Sequence, residues 1–486
     1  MTHIAPIPPF DEIGAAYVQG LLCLRAGQYQ EAESWFGLVL TQDPRHEGAH
    51  RNLVRALLAR GSFAEVILRA GHALSVLPED AGLHYALGTA LRGIGKAAEA
   101  AEMLCRAVAL EPGHAAAWLN LGNACVDLDD LVTAETCCRT AIHLNPGFPE
   151  ALSSLGYLLT VRGHLPEAIE ACEAAIAVQS DCIQAHWNLA TVALLSGDLR
   201  RGFQEYEWRK RHDRFRRDFV DLPGPVWDGG DPEGRTILVQ AEQGFGDTIQ
   251  FARFLPLIVA LGGRVVLACD RRVAPLISSM PHVRVVSKGG PLPEYDAWID
   301  QMSLPRAFGC TLGTIPSAGG YLAADPALLR AWRARLPLGR KVGLVWSGNP
   351  LHSNDRRRSI PTDCLTRLVE GSGAQFVSLQ PEGALPGVMD ISDGLTNYAQ
   401  TAAAIAALDL VITVDTSVAH LAGAMGVPVW IMLPHAPDWR WLLGRDDTPW
   451  YRSARLFRQD KPNDWAGVID RVEAALALKI VPHRVS

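Results

Sequence analysis

The chain predicts two architectures in series: an α-solenoid of helical repeats, then an α/β region of two Rossmann-like domains. Three observations carry this. Prolines 44, 78, 112 and 146 recur every 34 residues within a stretch of helical patterning. Beyond residue 235, short apolar runs alternate with helical segments, the pattern of parallel sheets. Between the two regions, "VDLPGPVWDGGDPEGR" concentrates proline and glycine as a linker does.

At 486 residues the chain exceeds one ordinary core, so two or three domains are expected. A composition 48% hydrophobic and 20% charged is globular, and a net charge of −7 argues against a general nucleic-acid binder, which needs a basic field. The apolar stretch "FLPLIVALGG" is about half the length of a membrane span. The opening "MTHIAPIPPFDEIG" has acids and prolines where a signal peptide has a basic and then an apolar region, which predicts a cytoplasmic address. No C-x-x-C pair occurs among the ten cysteines. The seven in the first 200 residues (Cys23, Cys105, Cys125, Cys137, Cys138, Cys172 and Cys182) are expected to be small buried hydrophobes, not disulfides or metal ligands.

The 34-residue period is that of tetratricopeptide repeats. Trp118, Leu121, Gly122, Ala134, Ala141 and Pro146 occupy the pattern positions; His84, Leu87, Gly88, Ala100, Ala107 and Pro112 stand one period earlier. Leu152, Leu155, Gly156, Ala168 and Ala175 stand one period later. After a lead over 1–12, five repeats and a degenerate sixth are expected over 13–215. Each must stack on its neighbours to bury its apolar face, generating a superhelix with a groove suited to a polypeptide. The D-x-D in "DLDD" (Asp127, Asp129, Asp130) could suggest a metal-dependent transferase, but it falls between two repeat helices and reads as a solvated turn. The basic run "WRKRHDRFRR" (208–217) reads as a last helix with one solvated basic face.

After a linker at 216–234, one Rossmann-like domain is expected over 235–338 and a second, with a C-terminal helix, over 339–486. Ligands of such sheets lie at the strands' carboxyl ends. In "AEQGFGDTIQF" (241–251), Gly244 and Gly246 fit two glycines of a dinucleotide loop, but Ile249 occupies the third position and Asp247 would repel a pyrophosphate. The glycines are therefore read as a tight turn that presents Asp247, either as a general base or as a helix cap.

In "LDLVITVDTSVAHLAGAMGVPVWIML" (408–433), a buried strand delivers Asp415, Thr416 and Ser417 to a helix start, where hydroxyls and free amides can hold a diphosphate. His420 shares their face and can donate to a phosphate oxygen; the alternative is an N-cap aspartate and a core histidine. The loop "WSGNPLHSNDRRRSIP" (346–361) carries His352, Asn354, Asp355 and three adjacent arginines, Arg356, Arg357 and Arg358, placed to neutralise a leaving diphosphate if they are not simply solvated. Gln380 is a candidate for reading a base or ribose, and Trp439, Trp441 and Trp450 either close the cleft or pack between the domains.

With "AEQGFGDTIQFARFLPL", "WSGNPLHSNDRRRSIP", "VDTSVAHLAGAMGVPVWIML" and the junction "GFQEYEWR" followed by "WDG", the region from about 222 to 478 resembles the bacterial TPR-linked glycosyltransferases of the heptosyltransferase-like type, glycosyltransferase family 9, which have the GT-B fold. Flagellin-modifying TPR glycosyltransferases have a similar layout, as do O-GlcNAc transferases. The resemblance implies an inverting transferase that uses a nucleotide-sugar as co-substrate and needs neither metal nor other cofactor. It implies that the first domain takes the acceptor, with Gln243, Gly244 and Gly246 in the acceptor loop and Asp247 as base. It also implies donor diphosphate binding by Asp415, Thr416, Ser417 and His420, with Ser417 standing where the family has glycine. The family's phosphate-contacting lysine has no lysine counterpart, and Arg356 or Arg358 stands in for it. The expected partners are the nucleotide-sugar and a polypeptide acceptor such as flagellin in the repeat groove, with no nucleic acid and no membrane span. Two other readings remain: a transferase acting on a glycan or lipid-linked saccharide, and a non-catalytic scaffold.

Overall fold

The structure, a computed structural model, describes residues 10–316, 319–350, 354–371, 373–383 and 385–478. The chain forms two compact units, one ending at Asn188 and one beginning at Leu189.

The first unit is helical: α1 (Phe10–Arg25), α2 (Tyr29–Gln42), α3 (Glu47–Ala59), α4 (Phe63–Val76), α5 (Ala81–Gly93), α6 (Ala97–Leu110), α7 (Ala115–Asp127), α8 (Leu131–Leu144), α9 (Pro149–Val161), α10 (Leu165–Val178) and the start of α11 (Ile183–Ser196). The repeat is visible in its backbone. Gly27, Gly61, Gly95 and Gly163 end alternate helices at φ 73°, 73°, 84° and 79°, the left-handed region that a residue without Cβ enters freely. At the same position in the fourth repeat stands Asp129, at φ 63°. Next to it Asp130 caps α8 by accepting the Thr133 N–H at 3.1 Å, so "DLDD" is a turn between repeat helices.

A second 34-residue series satisfies carbonyls left over at helix ends. The Nε2 atoms of His50, His84 and His186 lie 2.9, 2.9 and 3.0 Å from the carbonyl oxygens of Pro44, Pro78 and Ser180. Trp118 Nε1 donates to Pro112 O at 2.8 Å. The repeat glycines serve close packing: a Cβ at Gly88 would lie 2.6 Å from Leu104 Cγ, and one at Gly156 would lie 2.4 Å from Cys172 Sγ. Five of the seven cysteines expected to be buried are so, and burial pushes the thiols of Cys137 and Cys138 up to about 12. Cys23 is half-buried and Cys105 is exposed, which corrects the expectation at those two positions.

The second unit runs α12 (Leu199–Glu205), 3₁₀ turns at Tyr206–Arg211 and Asp213–Asp218, β1 (Thr236–Gln240), α13 (Phe245–Phe251), α14 (Leu255–Ala260), β2 (Arg264–Cys269), α15 (Ala274–Ile277), β3 (Val283–Ser287), β4 (Ala297–Asp300) and α16 (Leu304–Ala307). There follow α17 (Pro326–Arg335), β5 (Lys341–Val345), α18 (Asp355–Arg358), α19 (Thr366–Gly371), β6 (Gln375–Ser378), β7 (Val388–Asp390), α20 (Tyr398–Ala406), β8 (Leu410–Val414), α21 (Ser417–Ala424), β9 (Val429–Leu433), β10 (Ala454–Arg458) and α22 (Trp465–Leu478). Two sheets form, in the orders β3-β2-β1-β4 and β10-β9-β8-β5-β6-β7, and every pairing is parallel. β8 and β9 are buried at every residue, as expected of inner parallel strands covered on both faces.

Pro225 to Trp227 continue the first sheet past β4. Trp227 N–H donates to Trp298 O at 2.7 Å and Trp298 N–H to Pro225 O at 3.0 Å, while the Trp227 ring is buried against Phe308. The basic run departs from expectation. It forms two 3₁₀ turns, not one helix, and Arg209 is fully buried, donating from Nε and Nη2 to Glu242 Oε2 and Oε1 at 2.9 and 2.6 Å. A carboxylate buried at the end of β1 needs a cation, and Arg209 supplies it. Glu207 joins this network through Arg209 and Lys210, which outweigh burial and hold its carboxyl at about 2.

Candidate functional site

The chain leaves β1 through "AEQG". Gln243 adopts φ 59°, and its side-chain amide lies 3.3 Å from the Tyr206 hydroxyl. A non-glycine residue in this region costs on the order of 1 kcal/mol or more. The turn is thus made by Gln243 and not by the glycines, since Gly244 is extended at φ −93° and Gly246 lies in the first turn of α13. Gly246 has a different reason to lack a side chain: a Cβ there would lie 2.8 Å from His420 Cδ2 and 3.5 Å from Ser417 Cα. The helices that follow β1 and β8 therefore touch at their beginnings, and the carboxyl ends of both sheets converge on one cleft.

Asp247 is the third residue of α13. Its Oδ2 accepts the Gly244 N–H at 2.8 Å, which caps the helix, and its Oδ1 pairs with Arg440. Its side chain stays 17% exposed. Burial pushes the carboxyl above the usual range and Asp438 adds to this, while Arg440 and the Gly244 amide oppose it.

Arg440, which sequence reasoning passed over, also donates from Nε to Gln250 Oε1 at 2.7 Å and from Nη1 to Asp438 Oδ1 at 2.8 Å, and it lies 4.3 Å over the Trp439 ring. The three tryptophans pack the meeting of the two sheets. Trp441 stacks on His420 at 5.4 Å, and Trp450 meets Trp439 and Phe251 edge-on at 5.9 and 6.2 Å. Behind them lies a second buried cation, Arg253, which donates to the carbonyls of Trp450 and Gln250 at 2.9 Å each and sits over three aromatic rings.

On the opposite side, Thr416 stands at the N-cap position of α21 without a side-chain cap, its hydroxyl 3.2 Å from that of Thr413, and the Tyr398 hydroxyl meets Ser417 Oγ at 2.7 Å. His420 is buried with Nδ1 2.8 Å from the Tyr451 hydroxyl. Burial first, then the charges of Arg440, Arg253 and Arg358, hold its pKa well below the ordinary value, so the ring is neutral. Burial and then Asp438 push the Asp415 carboxyl up to about 6, against Arg358 and Arg440.

Arg358 donates from Nη1 to Asp415 O at 2.9 Å and from Nε to Asp355 Oδ1 at 3.1 Å. It passes over Gly348, where a Cβ would lie 2.3 Å from Nη2. The arginine segment, expected as loop, is thus a single helical turn, with Arg356 exposed. His352 lies outside the described residues. Gln380 is buried and its amide nitrogen donates to Ser347 Oγ at 2.6 Å, joining the ends of β5 and β6 beside Gly348.

The structure thus gathers Gly244, Gly246, Asp247, Asp415, Thr416, Ser417, His420 and Arg358 around one cleft, while the Gln243 side chain turns to Tyr206 and Arg356 lies on the surface. Among the described residues, no group of three or more His, Cys, Asp or Glu is placed to hold a metal ion, and no helix is long and apolar enough to cross a membrane. In the helical unit, Ile142, Leu152, Leu155 and Leu159, with Arg139 and Glu167, line a cavity of about 500 Å³.

Protein FlbA of Caulobacter vibrioides is 31% identical over an alignment of 330 residues that covers 59% of this chain and 54% of that protein. The chain therefore spans about half the length of this relative. Among solved structures, PilF of Pseudomonas aeruginosa is 20% identical, with 42% of this chain and 93% of that one covered and a TM-score of 0.37. MamA from Desulfovibrio magneticus RS-1 is 20% identical, with 34% and 97% covered and a TM-score of 0.31. Residues 85–149 match the tetratricopeptide repeat family, so the helical unit is a tetratricopeptide solenoid, a protein-interaction module.

Proposed function

We propose that the second unit is a GT-B glycosyltransferase of the heptosyltransferase-like family, inverting and metal-independent, and that the repeats bind its polypeptide acceptor, with flagellin the model case. The observation that carries this reading is the meeting of α13 and α21, which brings Gly246, the residue before Asp247, against Ser417 and His420 at the start of the helix that follows β8. The β1–β4 sheet takes the acceptor and the β5–β10 sheet the nucleotide-sugar.

Asp247 keeps oxygen lone pairs beyond those used by Gly244 and Arg440, and with them it removes the proton from an acceptor hydroxyl. The acceptor oxygen attacks the anomeric carbon from the face opposite the diphosphate. The bond to the leaving oxygen breaks, and its electron pair departs with the nucleoside diphosphate. With the Tyr451 hydroxyl donating to Nδ1, Nε2 of the neutral His420 carries the ring proton and donates to a phosphate oxygen. Arg358 and the first amides of α21 take up the developing charge. The apolar-lined cavity among α8, α9 and α10 favours a peptide partner in the solenoid.

The test is calorimetry of UDP, ADP, GDP, CMP and dTDP on the wild type, followed by transfer assays with sugars of whichever nucleotide binds. The reading expects selective binding of one nucleotide, weakened by His420→Ala. It also expects Asp247→Ala to abolish transfer with nucleotide affinity within a few-fold of wild type. Absence of binding by all five nucleotides would favour the scaffold reading.

A further inference from the structure

We propose that Arg440 is the positioning residue of the acceptor base: it reaches from the donor-side sheet across the cleft to hold the Asp247 carboxylate ionised and aimed, so that the base is complete only when the two halves meet. This rests on the glycosyl-transfer reading for the role of Asp247, but the contact itself does not.

The geometry is that of a built clamp. Arg440 is 8% exposed and each edge of its guanidinium is engaged: Nη2 by Asp247, Nε by Gln250 Oε1 at 2.7 Å, and Nη1 by Asp438 Oδ1 at 2.8 Å. One face lies on the Trp439 ring at 4.3 Å. Asp438 also accepts the Arg440 backbone N–H at 3.0 Å, which fixes the turn from which the side chain departs. Asp247 and Gln250, both on α13, are thus gripped together by one side chain some 190 residues away in sequence, at separations of 193 and 190. A planar fork with fixed donor directions can orient a carboxylate in this way, whereas a flexible ammonium holds it only by charge.

The other groups facing Asp247 do not replace Arg440. Asp438 carries the same sign as Asp247 and raises its proton affinity. Tyr206, from the 3₁₀ turn, is kept protonated by burial, and His420, behind Gly246, is kept neutral by burial. Arg440 is therefore the cation that offsets the desolvation of Asp247. Without it, the buried carboxylate binds its proton more tightly and stops serving as a base at pH values where the wild type is active.

The test compares Arg440→Gln and Arg440→Lys with wild type in the pH profile of kcat/KM. The same proteins, labelled with ¹³C at the aspartate carboxyl, are titrated by NMR, and Asp247→Asn assigns the signal. We expect the acid limb of Arg440→Gln to move up by at least one pH unit, a tenfold rise in proton affinity, with the donor KM within about threefold of wild type. In Arg440→Lys the limb moves by less, while kcat still falls, because charge is restored without the fork. An unmoved limb and an unmoved carboxyl titration in Arg440→Gln would overturn the inference. If the wild type transfers no sugar at all, the functional reading fails alone, and the carboxyl titration still decides the role of Arg440: an upward shift supports it and no shift overturns it. Should Arg440→Gln not fold, Arg440→Lys decides by its kcat: a fall with the donor KM within about threefold of wild type supports the inference, and an unchanged kcat overturns it.

Discussion

Replacing Gly246 with alanine puts a methyl group 2.8 Å from His420 Cδ2, where carbon atoms ordinarily stand about 3.5–4.0 Å apart. The intrusion is about 1 Å, and the imidazole has nowhere to go. Its Nδ1 is held by the Tyr451 hydroxyl at 2.8 Å, and its face lies on Trp441 at an interplanar angle of 19°. Overpacking of this kind costs about 1–3 kcal/mol, against a gain of up to about 1 kcal/mol from alanine in place of a helical glycine. The two terms separate in a double-mutant cycle. In wild type, Gly246→Ala should lower the melting temperature of the α/β unit and weaken nucleotide binding. With His420→Ala already present, the obstructing ring is gone and the same change should be neutral or stabilising. Thermal and denaturant unfolding of the four proteins, followed by circular dichroism, gives the coupling, which we expect to exceed about 1 kcal/mol. Equal effects of Gly246→Ala in both backgrounds would mean that α13 and α21 do not meet as described.

Asp129→Gly should stabilise the solenoid by about 0.5–1 kcal/mol, because the left-handed position it fills suits glycine; a lower denaturation midpoint would count against a conformational origin. Arg209→Met should cost about 3–5 kcal/mol by leaving Glu242 buried without its cation, and adding Glu242→Gln should recover part of this in unfolding experiments. Nucleotide affinity should fall as pH rises through about 6, where Asp415 loses its proton and faces the diphosphate as a like charge. The sign follows from a folded value raised above that of a free carboxyl: the neutral, binding-competent form persists up to about 6 and is lost above it. Calorimetry of wild type and Asp415→Asn between pH 5 and 8 isolates this effect, and identical profiles would remove Asp415 from the donor site.

The helical unit was legible because its signals are local and repeated. Spacings of 34 residues between prolines, small residues and ring side chains survive without knowledge of any distant contact. The apolar runs "TILVQ" and "RVVLAC" coincide with β1 and β2 for a similar reason, as inner strands write their burial into consecutive residues, and "VRVVS" coincides with β3, an edge strand marked by its three valines. β7 and β10, each at a sheet edge, went unnoticed because neither carries a continuous apolar run. β7 is three half-exposed or exposed residues, and β10 interleaves arginines with its apolar positions. Asp247, Asp415 and His420 could be singled out because each stands where an apolar run gives way to a helix start. Arg440 and Arg209 could not, since their partners lie 193 and 33 residues away and a run such as "WRKR" looks alike whether solvated or buried. One signal was available for Arg209: Glu242 stands two residues past the strand run "TILVQ", at the buried end of an inner strand, and an acid so placed requires a cation.

The segment at Tyr321 and Leu322, between α16 and α17, adds a mechanical consequence. The backbone amides of Tyr321 and Leu322 both donate to Ala424 O, at 2.8 and 3.1 Å, at the end of α21, while the Tyr321 hydroxyl meets the carbonyls of Ile249 and Gln250 on α13 at 3.0 and 3.2 Å. Gly246 bears on the beginning of the same eight-residue helix. α21 is thus bolted to α13 at both ends, directly at one and through a tyrosine strut at the other. Any opening of the cleft would therefore have to shear both fastenings at once or carry α13 along with α21.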